Sequence, residues 1–264
     1  MRTIFIHGIH QQGRNAEAIQ AEWIGALNRA IPNLETVFYG DALVAAMEPG
    51  EATIMGVPLA DDERSFVAAA LRQIAIEYGF DLDQDQAVSQ GVFDNRVIIG
   101  VAKCLNEKFP ALGDLALSLV RQAYAYLKRP AATAAVDEIV RPVIAAGPCI
   151  VVAHSLGTVV SYKLLRSLGQ QVPLLLTLGS PLGLAPVQNA LGRPRVKPDG
   201  VARWWNGLDP NDAVTLGTPL TVSTFAEGVV NKTTIDNGDE PHAITRYLKD
   251  PDVRAEIAAA LARP

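Results

Sequence analysis

The chain is poor in cysteine, in charge and in long apolar runs, and each shortage excludes something. Two cysteines in 264 residues, Cys104 and Cys149, cannot build a disulfide framework. Cys149 lies in an apolar stretch, so both are read as reduced core residues of a cytoplasmic protein. No uncharged apolar run reaches the roughly 18 residues of a transmembrane segment. With 23 Lys and Arg against 28 Asp and Glu, the net charge is −5. No dense basic block exists either, which removes nucleic acid as an expected partner. Internal repeats and low-complexity linkers are missing too. Met1-Arg2-Thr3 runs directly into Ile4-Phe5-Ile6, which leaves no room for a secretory signal peptide. What is present is apolar: 49% of residues are hydrophobic and 19% charged, ample for a large core. The length suits one α/β domain with space for an insertion.

Strand and helix patterns alternate along the chain. Thr3–Ile6 is an apolar strand ending at His7-Gly8. The loop from Ile9 to Gly13 leads to a helix over about Ala16–Ala30, with Ile19, Trp23 and Leu27 at helical spacing. Thr36–Tyr39 reads as a second strand, closed by Gly40-Asp41. From about Ala42 to Arg129 the pattern is loop and then helices at Asp62–Tyr78, Asn95–Phe109 and Leu112–Lys128, punctuated by Pro110 and Pro130. Val97-Ile98-Ile99 is the single β-branched run there and also suits an extended segment. A helix at Ala131–Ala146 precedes the strand that begins at Cys149. Pro173–Leu178, Val201–Asn206 and Leu220–Ala226 read as further strands, with closing helices at Pro241–Leu248 and Asp252–Ala262. The fold class expected is α/β, a mainly parallel sheet with helices on both faces. Residues 1–41 and 130–264 would form its core, with 42–129 a helical insertion acting as lid or cap. That insertion leaves the second strand at the edge of the sheet where ligands bind in open α/β folds.

The richest stretch is Cys149-Ile-Val-Val-Ala-His-Ser155-Leu-Gly157. An apolar strand runs into a small-x-Ser-x-Gly turn, and Thr158–Leu165 continues as a helix. A nucleophile elbow needs this order, because the sharp turn lifts the serine hydroxyl above the sheet. The plainer alternative is a serine that only caps the helix.

A serine nucleophile requires a base, and the base requires an orienting acid. Of the four histidines, His154 adjoins the serine across a sharp turn and points away from its hydroxyl, while His7 and His10 belong to the first loop. His242 remains, late in the chain at a loop-to-helix junction. For the acid, Asp212, followed by Ala-Val, suits a loop turning back under the sheet edge. Asp209 before Pro210 reads as a turn residue, and Asp236 is the third candidate. Developing negative charge on the substrate oxygen needs backbone donors. The N–H of Leu156 follows from the elbow, and Gly8 points to the N–H of Ile9, with His10 as the fallback. Two histidines three apart, His7 and His10, do not make a metal site without a third ligand, so no metal is expected.

Taken together, His7-Gly8, Ala153–Gly157, Asp209–Val214 and His242 resemble the α/β-hydrolase fold family. With Thr177–Leu182 and Pro241–Leu248, they are similar to bacterial serine esterases and lipases. Ala153 stands where that pattern usually has glycine, and the early insertion is also a departure. The resemblance implies Ser155, Asp212 and His242 as a triad, no cofactor, and a small-molecule ester as substrate. An acyltransferase or thioesterase could use the same triad, and a silent hydrolase fold could serve as a binding module.

Overall fold

A computed structural model describes residues 1–47, 59–79, 95–108 and 112–262. Six parallel strands form one sheet: β1 (Arg2–Ile6), β2 (Leu34–Val37), β3 (Cys149–His154), β4 (Val172–Leu178), β5 (Val201–Gly207) and β6 (Val229–Lys232). Their spatial order is β2-β1-β3-β4-β5-β6, and every pairing is parallel. The direction of growth therefore reverses between β2 and β3, and all strands end at one edge.

Period-two alternation sends side chains to both faces, and both are covered. On one face Ile4, Ile6, Val151, Ala153 and Trp204 meet helices α3 (Asp61–Glu77), α5 (Leu112–Lys128), α6 (Pro130–Ala145) and α7 (Leu156–Leu168). On the other, Phe5, Val152, Leu176 and Trp205 meet α1 (Ala16–Leu27) and α10 (Pro251–Leu261). The α/β class with helices on both faces follows directly. Local signals set the helix ends. Asn15 accepts from Ala18 N–H at 2.8 Å to open α1, and Asn28 closes it at φ 51°. Asp250 caps α10, with Pro251 at its first position.

Between β2 and α6 the described elements are helical: α2 (Gly40–Ala45), α3, α4 (Asn95–Lys108) and α5. Val97-Ile98-Ile99 lies inside α4 and is not extended. Phe109 and Pro110, expected to end that helix, lie outside the described residues. These helices reach the carboxyl edge of the sheet. The Tyr78 hydroxyl donates to the Asn211 carbonyl, Gln73 bonds Ala185 N–H at 2.8 Å, and Ser118 bonds His10 at 2.7 Å. A buried ion cluster links α3 to α5, with Glu63 accepting from Arg121 at 3.0 Å and Arg129 at 3.1 Å.

Four sequence expectations need correction. Leu220–Ala226 is a series of turns, and the sixth strand is Val229–Lys232. Hydroxyls satisfy the local backbone instead of a ladder: Thr224 Oγ1 accepts from Thr221 N–H at 2.7 Å. Asn231 bridges both backbone groups of Leu220, accepting from its N–H at 2.9 Å and donating to its carbonyl at 2.8 Å. The helix expected over Pro241–Leu248 shrinks to α9 (Ile244–Tyr247), because side-chain bonds hold His242 in a turn. Gly40-Asp41 does not merely close a strand but starts α2. Cys104 is exposed on α4 and is not a core residue, whereas Cys149 is buried. Between Ala185 and Leu191 lies one further short helix, α8.

Candidate active site

The loops leaving the carboxyl ends of β1, β3, β5 and β6 converge at one point. Ser155 follows β3 directly, with φ 52° and ψ −127°, a conformation that is strained for any residue with a side chain. The strain arises because β3 reverses at once into α7 beside β1. A Cβ on Gly157 would lie 2.4 Å from the Ile6 and His7 carbonyl oxygens, and one on Gly8 would lie 2.6 Å from Ser155 Cβ. The helix-cap alternative is not what occurs. Ser155 makes no side-chain cap bond, and its Oγ lies 2.9 Å from His242 Nε2.

On the other side of the imidazole, Nδ1 is 2.9 Å and 3.0 Å from the two carboxylate oxygens of Asp212. A carboxylate can only accept, so the proton sits on Nδ1 and the Nε2 lone pair faces the serine hydroxyl. Asp212 is 1% exposed, and its charge is met by two further donors. These are the Tyr247 hydroxyl at 2.7 Å and Val214 N–H at 3.0 Å. Asp209 does a different job: its oxygens accept from Asn211 N–H at 2.7 Å and Asn237 N–H at 2.6 Å. It thereby ties the loop after β5 to the loop that carries His242. Burial raises its pKa above the ordinary carboxylate value, opposed by those two N–H bonds. Asp236 is exposed and bonds Gly238 N–H at 2.9 Å, away from the imidazole.

The first loop is fixed by His7. Its Nε2 accepts from Tyr39 N–H at 3.1 Å, so Nδ1 carries the proton and donates to the Gly8 carbonyl at 2.6 Å. Across a trans peptide the Ile9 N–H must point away from that carbonyl. Among the described residues it has no acceptor. Leu156 N–H belongs to the first turn of α7, where donors have no intrahelical partner and the helix dipole favours negative charge. His7 is 1% exposed and stacked on Tyr39, and burial pushes its pKa down to about 4. His10, at φ 59°, bonds Ser118 and does not join His7 around a common point. Its pKa is lowered, by burial first and then by His242. Among the described residues no three His, Cys, Asp or Glu side chains converge as metal ligands.

Beside Asp212 and His242 lies a cavity of about 450 Å³. Leu112, Leu115, Ala213 and Pro241 line it together with His10 and His242. Ser155 itself is fully buried. Three participants escaped sequence reasoning. Tyr247 clamps the Asp212 carboxylate, and its position five residues after His242 was the one available signal. His154 donates to the His242 backbone, a contact between distant segments. Gly179 leaves space for the acid–histidine pair, since a Cβ there would come within 3.0 Å of Asp212 Oδ2 and 3.2 Å of the His242 ring. No protein-family model matches the chain, and no curated protein matches it. No described helix is long and apolar enough to cross a membrane.

Proposed function

We propose that this chain is a serine hydrolase that cleaves carboxylic esters through an acyl-enzyme. The observation that carries the reading is the unbroken chain of bonds from Asp212 through His242 to Ser155 Oγ, 2.9 Å at each step. Ser155 attacks the ester carbonyl as its proton passes to His242 Nε2. Asp212 holds the imidazole in the useful tautomer and stabilises the imidazolium. Ile9 and Leu156 N–H groups receive the oxyanion. His242 then protonates the departing alcohol, and water repeats the sequence to release the acid. The six-strand order, with the serine after a central strand and the histidine last, supports an α/β-hydrolase-like assignment. Leu112 and Leu115 on the cavity wall support an apolar acyl group as the part recognised and a limiting role for α5 in its length. Because Ser155 is buried, an ester reaches it only when groups above it shift. Two unpaired cysteines support a reducing, cytoplasmic setting.

Fluorophosphonate labelling and hydrolysis of a short-acyl ester, each measured in wild type and Ser155→Ala, test the reading. Wild type should label at Ser155, and the variant should neither label nor retain more than a trace of turnover. Near-normal hydrolysis by purified Ser155→Ala would overturn the nucleophile. A wild type that neither labels nor turns over would favour a binding module.

A further inference from the structure

His154 ends β3 and is the residue immediately before Ser155. Its side chain turns away from the serine hydroxyl and towards the base. The ring centroids of His154 and His242 are 4.7 Å apart, and His154 Nε2 lies 2.9 Å from the His242 carbonyl oxygen. A carbonyl oxygen can only accept, so His154 carries its proton on Nε2. The segment around His242 forms turns between β6 and α9, with no ladder or helix of its own. Its other anchors hold neighbouring residues: Asn237 donates to the Pro241 carbonyl at 2.7 Å, and Ala243 N–H to the Glu240 carbonyl at 2.9 Å. The backbone of the base itself is held by His154.

We propose that His154 is a positioning residue: its Nε2–H bond to the His242 carbonyl fixes the base backbone relative to the nucleophile's own strand. The proposal rests on the reading of Ser155 and His242 as nucleophile and base. One hydrogen bond joins residues 88 apart in sequence, so any drift of the His242 loop is registered against the elbow. The required accuracy is high, since a displacement of about 1 Å can cost roughly 100-fold in rate. The ring must also stay uncharged, because His242 becomes an imidazolium during the reaction and a second cation beside it would oppose that. Burial at 8% exposure supplies this condition, lowering the His154 pKa well below the ordinary histidine value, with His242 lowering it further.

The test compares fluorophosphonate labelling kinetics in wild type, His154→Phe, His154→Gln and Ser155→Ala. Phenylalanine keeps the ring and removes the donor, whereas glutamine restores an N–H at similar reach. We expect His154→Phe to slow the saturating labelling rate roughly 10- to 100-fold. The half-saturating probe concentration should stay within about twofold of wild type, and His154→Gln should recover most of the rate. Labelling of His154→Phe at the wild-type rate, or equal slowing in both variants, would overturn the positioning role. A wild type that does not label would instead overturn the serine reading and this proposal with it. Nitrogen-15 NMR of the histidines in wild type gives an answer that needs no variant to fold. Near pH 7 His154 should be the Nε2–H tautomer, and an Nδ1–H tautomer would refute the bond.

Discussion

Acid should destabilise this protein through His7 before it protonates most of its carboxylates. The imidazole stands between two main-chain groups, donating from Nδ1 to the Gly8 carbonyl and accepting at Nε2 from Tyr39 N–H. A second proton would set Nε2–H against Tyr39 N–H and place a charge on a side chain 1% exposed. Burial therefore holds the folded pKa at about 4, against an ordinary 6.5. Between these values the unfolded chain binds a proton at His7 that the folded chain refuses. Stability is thus undiminished above 6.5 and is lost progressively as pH falls towards 4. At 1.36 kcal/mol per pH unit, the whole window is worth about 3 kcal/mol. The assay is denaturant unfolding of wild type and His7→Gln at about pH 7, 5.5 and 4.5, with glutamine neutral throughout. Buried His154 is present in both proteins and cancels in the comparison. The wild-type unfolding free energy should fall more steeply with acid, by up to about 1.4 kcal/mol per pH unit. Parallel slopes would refute the assignment of His7 as a buried neutral brace of the Ile9 loop.

Asp212→Asn should lower ester turnover by up to about 10⁴, because an amide favours the wrong imidazole tautomer, whereas Asp209→Asn should cost far less. Steady-state kinetics of both variants check this, and a larger loss at Asp209 would reassign the acid. Gly157→Ala forces a methyl group to 2.4 Å from the Ile6 and His7 carbonyl oxygens and should destabilise by roughly 3 kcal/mol or more, read as a lowered Tm. Leu115→Trp fills part of the cavity and should penalise long-acyl esters more than acetate esters. A rate series over acyl length reads the difference, and a uniform change would remove α5 from substrate selection.

Much of the site was legible because its parts carry local signatures. An apolar run followed by a tight small-x-Ser-x-Gly turn and an amphipathic helix is a local signature of an elbow, although the crowding that demands glycine at 157 comes from the distant Ile6 and His7 carbonyls. His242 followed by elimination among four histidines. Between Asp209 and Asp212 the sequence offered only turn chemistry, and both carboxylates proved to be buried. The distinction is which one faces His242 and which one braces the loop, and that depends on how two distant loops dock.

By itself, then, the order of residues determined the alternation of strands and helices, the strained turn at Ser155 and the apolar helices between β2 and α6. These are set by periodicity, by steric limits on φ and ψ, and by solvent, all of which act over a few residues. The tertiary structure alone decided the strand order, and it rejected a strand at Leu220–Ala226 because Asn231, eleven residues from Leu220, satisfied its backbone. It also decided the clamp of Tyr247 on Asp212, the bond from His154 to the His242 backbone and the space left by Gly179. Each of these joins groups far apart along the chain, and hydrogen-bond geometry between them exists only once packing has closed the loops that separate them.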